Sequence, residues 1–159
     1  MMDERKIIIS QYHAALAMLK QTILQCPEAR WNNRDTQTAF GQVAYHALFY
    51  THLYLQDSLQ TFTAWSKHRE EYLFADQPSQ SPPQPPDKAI VLEYLAFCEQ
   101  QVVDKVAGTN LAADSGFDWL PFSKLELQLY SIRHIQQHVG ELMERLGSDA
   151  QAIHWIGSR

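Results

Sequence analysis

The chain has 159 residues, of which 45% are hydrophobic, and a formal net charge of −5 at pH 7. This length favours one domain over residues 1–159 with a core of its own. The acidic balance argues against proteins that bind nucleic-acid backbones or anionic lipid surfaces, because both need concentrated positive charge. The sequence shows neither an apolar run long enough for a membrane span nor a secretory signal pattern, so we expect a cytoplasmic protein.

The first part of the chain predicts two helices. Apolar residues recur at helical spacing over Glu4–Gln25, and Pro27 ends this pattern. A second helix is predicted over residues 38–65, and it is apolar around much of its circumference. Such a helix lies inside the protein or at an oligomer interface. Three residues near its start could provide a side-chain cap: Asp35, Thr36 and Thr38.

The segment 66–88 contains five of the seven prolines. A helix cannot continue through such a sequence, whereas an extended, polyproline-like chain can travel the length of a helical bundle. We therefore expect a long surface connection here. His68 lies among charged residues at its start and is expected in solvent.

Two more helices are predicted in the second half of the chain, over Lys88–Val106 and over residues 125–146. Gly108 follows the first of these and is expected to cap its C-terminus. Ser123 precedes the second, with Glu126 three residues later, which is the pattern of a capping box. Both helices therefore have identifiable ends.

The connections between the helices predict the topology. Short connections join helices one and two and helices three and four, so each pair should be antiparallel, while the long 66–88 segment lets helix three run parallel to helix two. The sequence thus predicts an all-α, four-helix bundle of up-down-down-up topology with a long crossover between helices two and three. The tail, residues 148–159, ends in apolar side chains and should dock on this bundle: Ile153, Trp155 and Ile156.

Histidines on two of the helices indicate a metal site. His134 and His138 are four residues apart on the fourth helix and border its apolar stripe. Side chains one turn apart can bind the same metal ion at about 2.0 to 2.1 Å each. The best third ligand is His46, because antiparallel packing of helices two and four sets all three histidines at comparable height. Imidazole ligands suit zinc, nickel or iron, so the sequence predicts a divalent transition metal without selecting one. The alternative is that all three are hydrogen-bonded core residues.

Other histidines receive different assignments. His52 is the second choice for the third ligand, since it lies within half a turn of the His46 face. His13 is assigned to the core or its boundary and His154 to the surface, and a place in the site is the alternative for each.

Three further residues are candidates for the surroundings of the metal. Glu141, three residues after His138, could hydrogen-bond a ligand ring or act as an acid or base; alternatively it is a solvated or salt-bridging glutamate. Tyr50 and Tyr130 each lie one helical turn from a candidate ligand. They are expected either to line the pocket or to pack in the core.

The sequence resembles the DinB-like superfamily of bacterial four-helix metalloproteins. The resemblance rests on VAYHALF around His46, on IRHIQQHVGEL with His134 and His138, on the long link between helices two and three, and on the terminal IHWIG. It implies the same bundle and a three-histidine metal site. Glu141 is a departure, because the family often has glutamine there.

The resemblance leads to two hypotheses of function. In the first, the protein is a metal-dependent enzyme for a small-molecule substrate, since relatives in the superfamily include transferases and isomerases that use low-molecular-weight thiols; a small-molecule hydrolase is a further possibility. In the second, it is a non-catalytic stress-response bundle that binds a metal or ligand. A homodimer is expected as the assembly.

Overall fold

The computed structural model describes residues 3–33, 38–73 and 84–159, and the regular elements within these ranges are helical. The all-α class is therefore confirmed. Apart from an isolated bridge between Asp114 and Ser123, the described residues form no β-structure. The α-helices are α1 (Glu4–Gln25), α2 (Glu28–Trp31), α3 (Phe40–Tyr54), α4 (Lys88–Val106) and α5 (Lys124–Leu146), with short 3-10 helices at Glu70–Tyr72 and Gly147–Ala152.

Local side-chain chemistry explains several helix ends. Asp3 accepts a hydrogen bond from the Arg5 amide at 3.2 Å and so caps α1. Ser123 accepts one from the Glu126 amide at 3.3 Å at the start of α5, which confirms the predicted N-cap. Gly147 ends α5 with a φ of 57°, a conformation that side chains disfavour.

The start of α3 differs from the prediction. The helix begins at Phe40, and the side chain of Gln42 accepts a hydrogen bond from the Ala39 amide at 3.2 Å. Thr38 is thus not the N-cap. The other two candidates, Asp35 and Thr36, lie outside the described residues.

The end of α3 is a larger correction, because the helix stops at Tyr54 and does not reach residue 65. Lys124, only 5% exposed, donates to the carbonyl oxygens of Gln56 and Asp57 at 2.7 and 2.9 Å. The loop before α5 also packs closely against the residues that follow α3, since a Cβ added to Gly116 would lie 1.8 Å from the Asp57 oxygen. These tertiary contacts occupy the carbonyl oxygens of Gln56 and Asp57, which would accept intrahelical hydrogen bonds in a longer helix.

The packing of the long helices places α3 beside α5. Helices α1 and α3 each pack against both α4 and α5 around one apolar core. Lys124 at the start of α5 contacts the end of α3, while Arg145 near the end of α5 donates to the Thr38 oxygen at 2.8 Å. Helices α3 and α5 therefore run in opposite directions, with His46 facing the second half of α5.

The segment after α3 packs on α3 and α4, as far as it is described. The ring of Trp65 stacks on Tyr94 of α4 with centroids 4.6 Å apart. The side chain of His68 is only 9% exposed and lies 2.8 Å from the Tyr45 hydroxyl through Nδ1. The expectation that His68 lies in solvent is therefore wrong. Residues 74–83, with three of the prolines that suggested a long crossover, are outside the described ranges.

The tail lies along α1. Ile153 is buried, and the backbone of His154 exchanges two hydrogen bonds with the side chain of Gln21. Trp155, in contrast, is 77% exposed. Helix α4 ends at Val106, and the residue at its C-cap is Ala107 rather than the predicted Gly108. Among the described residues, no helix combines the length and the apolarity that crossing a membrane requires.

Candidate metal centre

Helices α3 and α5 bring three histidines together. The ring centroids of His46 and His134 are 5.2 Å apart, those of His46 and His138 are 4.9 Å apart, and those of His134 and His138 are 4.6 Å apart. One nitrogen from each ring lies within 4.8 Å of the other two. The predicted ligand set therefore converges on one point between the two helices.

The spacing of the nitrogens fits a single transition-metal ion. The Nε2 atoms of His134 and His138 are 3.1 Å apart. Two nitrogens bound tetrahedrally at about 2.0 to 2.1 Å would be separated by about 3.3 Å. Small rotations of the two rings would bring the distance between the nitrogens to the value that a bound metal requires, so these residues can hold a divalent metal. Its identity is not determined by imidazole ligands alone.

The surroundings keep two of the candidate ligands, His46 and His134, neutral. Burial, together with the neighbouring His138 and His134, lowers the pKa of His46 to about 3. Burial and the neighbouring His138 lower the pKa of His134 to about 4. At neutral pH each of these rings therefore has a nitrogen lone pair available, which is the form that binds metal.

Glu141 connects the site to a basic side chain. Its Oε2 lies 3.0 Å from Nδ1 of His138, and its Oε1 accepts a hydrogen bond from Arg145. Arg145 in turn donates to the carbonyl oxygen of Thr38. Glu141 is thus hydrogen-bonded to a candidate ligand ring and also ion-paired, while its role as an acid or base stays a prediction. Arg145 was not identified from the sequence, although its position four residues after Glu141 is a signal that could have found it.

Aromatic rings form one wall of the site. Tyr50 packs against His46 and His134, with centroid distances of 4.7 and 5.7 Å. Tyr130 lines an open cavity of about 450 Å³ beside His134, together with Arg133 and two glutamines. Tyr50 thus packs against the ligand rings, whereas Tyr130 is partly accessible beside them.

The second-choice ligand lies elsewhere. His52 is buried, with Nδ1 3.1 Å from the hydroxyl of Tyr94 and its ring 4.9 Å from that of Phe97. It therefore faces α4, while His46 faces α5. His13 borders the core, with Nε2 3.2 Å from the Glu99 carbonyl oxygen.

Comparisons of the sequence with protein-family models and with curated proteins, and of the fold with solved structures, gave no match. The candidate site therefore rests on its own geometry.

Proposed function

We propose that His46, His134 and His138 bind one divalent transition metal (zinc, nickel or iron), and that the chain is a metal-dependent enzyme of the DinB-like type. The observation that supports this most is the convergence of the three histidines, with one nitrogen from each within 4.8 Å of the others. Two imidazoles from α5 and one from α3 form a ligand set that needs little rearrangement to bind metal.

The contacts between helices support the bundle topology that accompanies this proposal. Lys124 and Arg145 link opposite ends of α3 and α5, which makes those helices antiparallel. Arg5 donates to the Thr109 oxygen and Lys88 to the Cys26 oxygen, which makes α1 and α4 antiparallel as well. We propose an up-down-down-up four-helix bundle in which the segment between α3 and α4 is the crossover.

A three-histidine site has the composition of catalytic rather than closed structural sites, because three protein ligands leave a position for another group. A divalent metal there would supply Lewis acidity and lower the pKa of a water molecule or a thiol. Tyr50 shields one side of the ligands from solvent, whereas the cavity beside His134 leaves another side accessible. This arrangement suits a thiol-dependent transferase or a hydrolase acting on a small molecule.

Elemental analysis of the purified, untagged protein tests metal binding directly. We expect near one equivalent of a transition metal in the wild type and its loss in His134→Ala. His154→Ala is the matched control, because this exposed histidine lies on the tail and should not change the metal content. Metal absent from the wild type, even after incubation with zinc and nickel, would overturn the site.

A measurement of catalytic turnover then distinguishes the hypothesis of an enzyme from that of a non-catalytic metal-binding protein. Thiol and electrophile pairs and small hydrolysable substrates would be screened with the metal-loaded protein. We expect an activity that is lost on chelation and restored by the metal. Full metal loading without turnover across this panel would favour the non-catalytic alternative.

A further inference from the structure

We infer that Glu141 and Arg145 are positioning residues for the metal ligand His138. This inference rests on the proposed metal binding at the three histidines. Glu141 would hold the His138 ring with its proton on Nδ1 and its Nε2 lone pair turned toward the metal. Arg145 would hold Glu141 in the rotamer that makes this contact.

The first step concerns the tautomer of His138. The Oε2 atom of Glu141 is 3.0 Å from Nδ1, and a carboxylate can only accept a hydrogen bond. Nδ1 therefore carries the proton. The opposite nitrogen, Nε2, faces Nε2 of His134 at 3.1 Å, which is the side where the ligands converge. A hydrogen-bonded carboxylate of this kind fixes ring orientation and makes the imidazole a stronger ligand.

The second step concerns the carboxylate itself. Each of its oxygens is engaged, one by His138 and the other by Arg145. Arg145 is 18% exposed and also donates to the Thr38 oxygen at 2.8 Å, two residues before α3 begins. The orientation of one ligand on α5 is thereby coupled to the helix that carries His46.

The third step is the contrast between the two ligands on α5. Nδ1 of His134 is buried and has no hydrogen-bond partner among the residues that the structure describes. His138, one turn later, has the carboxylate. Nδ1 of His138 therefore has a carboxylate partner, whereas Nδ1 of His134 has none among the described residues. We expect that loss of Glu141 weakens metal binding through His138.

Metal affinity measured by competition with a chromogenic chelator tests the inference. We expect Glu141→Ala to weaken binding of zinc by roughly 10- to 100-fold. Glu141→Gln keeps an oxygen that can accept the Nδ1 proton and should lose less. Arg145→Met should weaken binding to an intermediate extent. Glu144→Ala, an exposed glutamate on the same helix, is the control and should bind like the wild type.

Nitrogen-15 NMR of the metal-free protein supplies a readout that a purely structural role would not change. We expect the His138 ring to carry its proton on Nδ1 in the wild type and to become a tautomer mixture in Glu141→Ala. Wild-type affinity in Glu141→Ala, or a His138 ring protonated at Nε2 in the wild type, would overturn the inference. If no variant bound metal, including the wild type, the proposed function would fail, while the NMR result would still decide the tautomer.

Discussion

Arg145 donates a hydrogen bond to the carbonyl oxygen of Thr38 at 2.8 Å, which ties the last turns of α5 to the start of α3. At the opposite ends of these helices, Lys124 donates to the carbonyl oxygens that follow α3. The two helices that carry the candidate ligands are therefore joined by a basic side chain at each end, with the histidines between them. These hydrogen bonds fix α3 and α5 relative to each other, which favours a preorganised site.

Metal binding should stabilise the fold. A ligand that binds only the folded state at a hundredfold excess over its Kd adds about 2.7 kcal/mol to the free energy of unfolding. For a chain of this size we expect zinc or nickel to raise Tm by roughly 5 to 10 °C. Thermal unfolding with and without metal measures this. His46→Ala should show no such increase, and an equal increase in that variant would contradict the assignment of His46 as a ligand.

The metal-free protein should lose stability as the pH falls below about 6.5, the usual pKa of histidine. Burial lowers the pKa of His46 to about 3, and of His52 and His134 to about 4, so the unfolded chain binds more protons than the folded protein between these values. The stabilisation is complete above about pH 6.5 and decreases as the pH falls, toward about pH 4 for His52 and His134 and about pH 3 for His46.

Urea unfolding of the chelator-treated protein at pH 7.5 and pH 5 checks this pH dependence. The midpoint should be lower at pH 5. His52→Gln removes one of the buried imidazoles without touching the candidate ligands, so its midpoint should fall less between the two pH values. An unchanged difference would show that His52 does not contribute.

Lys124→Met should destabilise the protein by roughly 1 to 3 kcal/mol, because it leaves buried carbonyl groups without their donor while keeping most of the apolar stem. Burial lowers the pKa of Lys124, but its hydrogen bonds to Gln56 and Asp57 hold it in place. Chemical denaturation measures the change. Lys20→Met, at an exposed position on α1, is the control and should change stability by no more than about 0.5 kcal/mol.

Gly116→Ala should cost roughly 2 kcal/mol or more, since Gly116 has a φ of 84° and its added Cβ would meet the Asp57 oxygen. Gly108→Ala is the matched control. A Cβ there would have no atom within 4 Å, so its unfolding midpoint should stay close to that of the wild type. Equal effects of the two substitutions would contradict the close approach of the Gly116 loop to the end of α3.

The sequence predicted the elements whose signals are local. The bounds of α1 and α4 and the Ser123 cap follow from apolar periodicity and capping chemistry, and all three are found. The convergence of the histidines was also predictable, because it needs only helical spacing and antiparallel packing of two helices.

The errors arose where distant residues decide the structure. The early end of α3 depends on contacts with Lys124 and the loop at Gly116, which helical periodicity does not reveal. The burial of His68 likewise depends on Tyr45, on another element, which offers a hydroxyl at 2.8 Å. The residues next to α3 and to His68 in the sequence do not indicate either of these contacts.

The ligands come from parts of the chain that are far apart in sequence, with His46 on α3 and the other two on α5. A metal bound to all three would therefore act as a cross-link that closes a long loop of the polypeptide. Such a cross-link opposes any opening that separates α3 from α5, because separating the two helices would break metal–ligand bonds. A fragment that lacks either α3 or α5 would lose this tether together with the site.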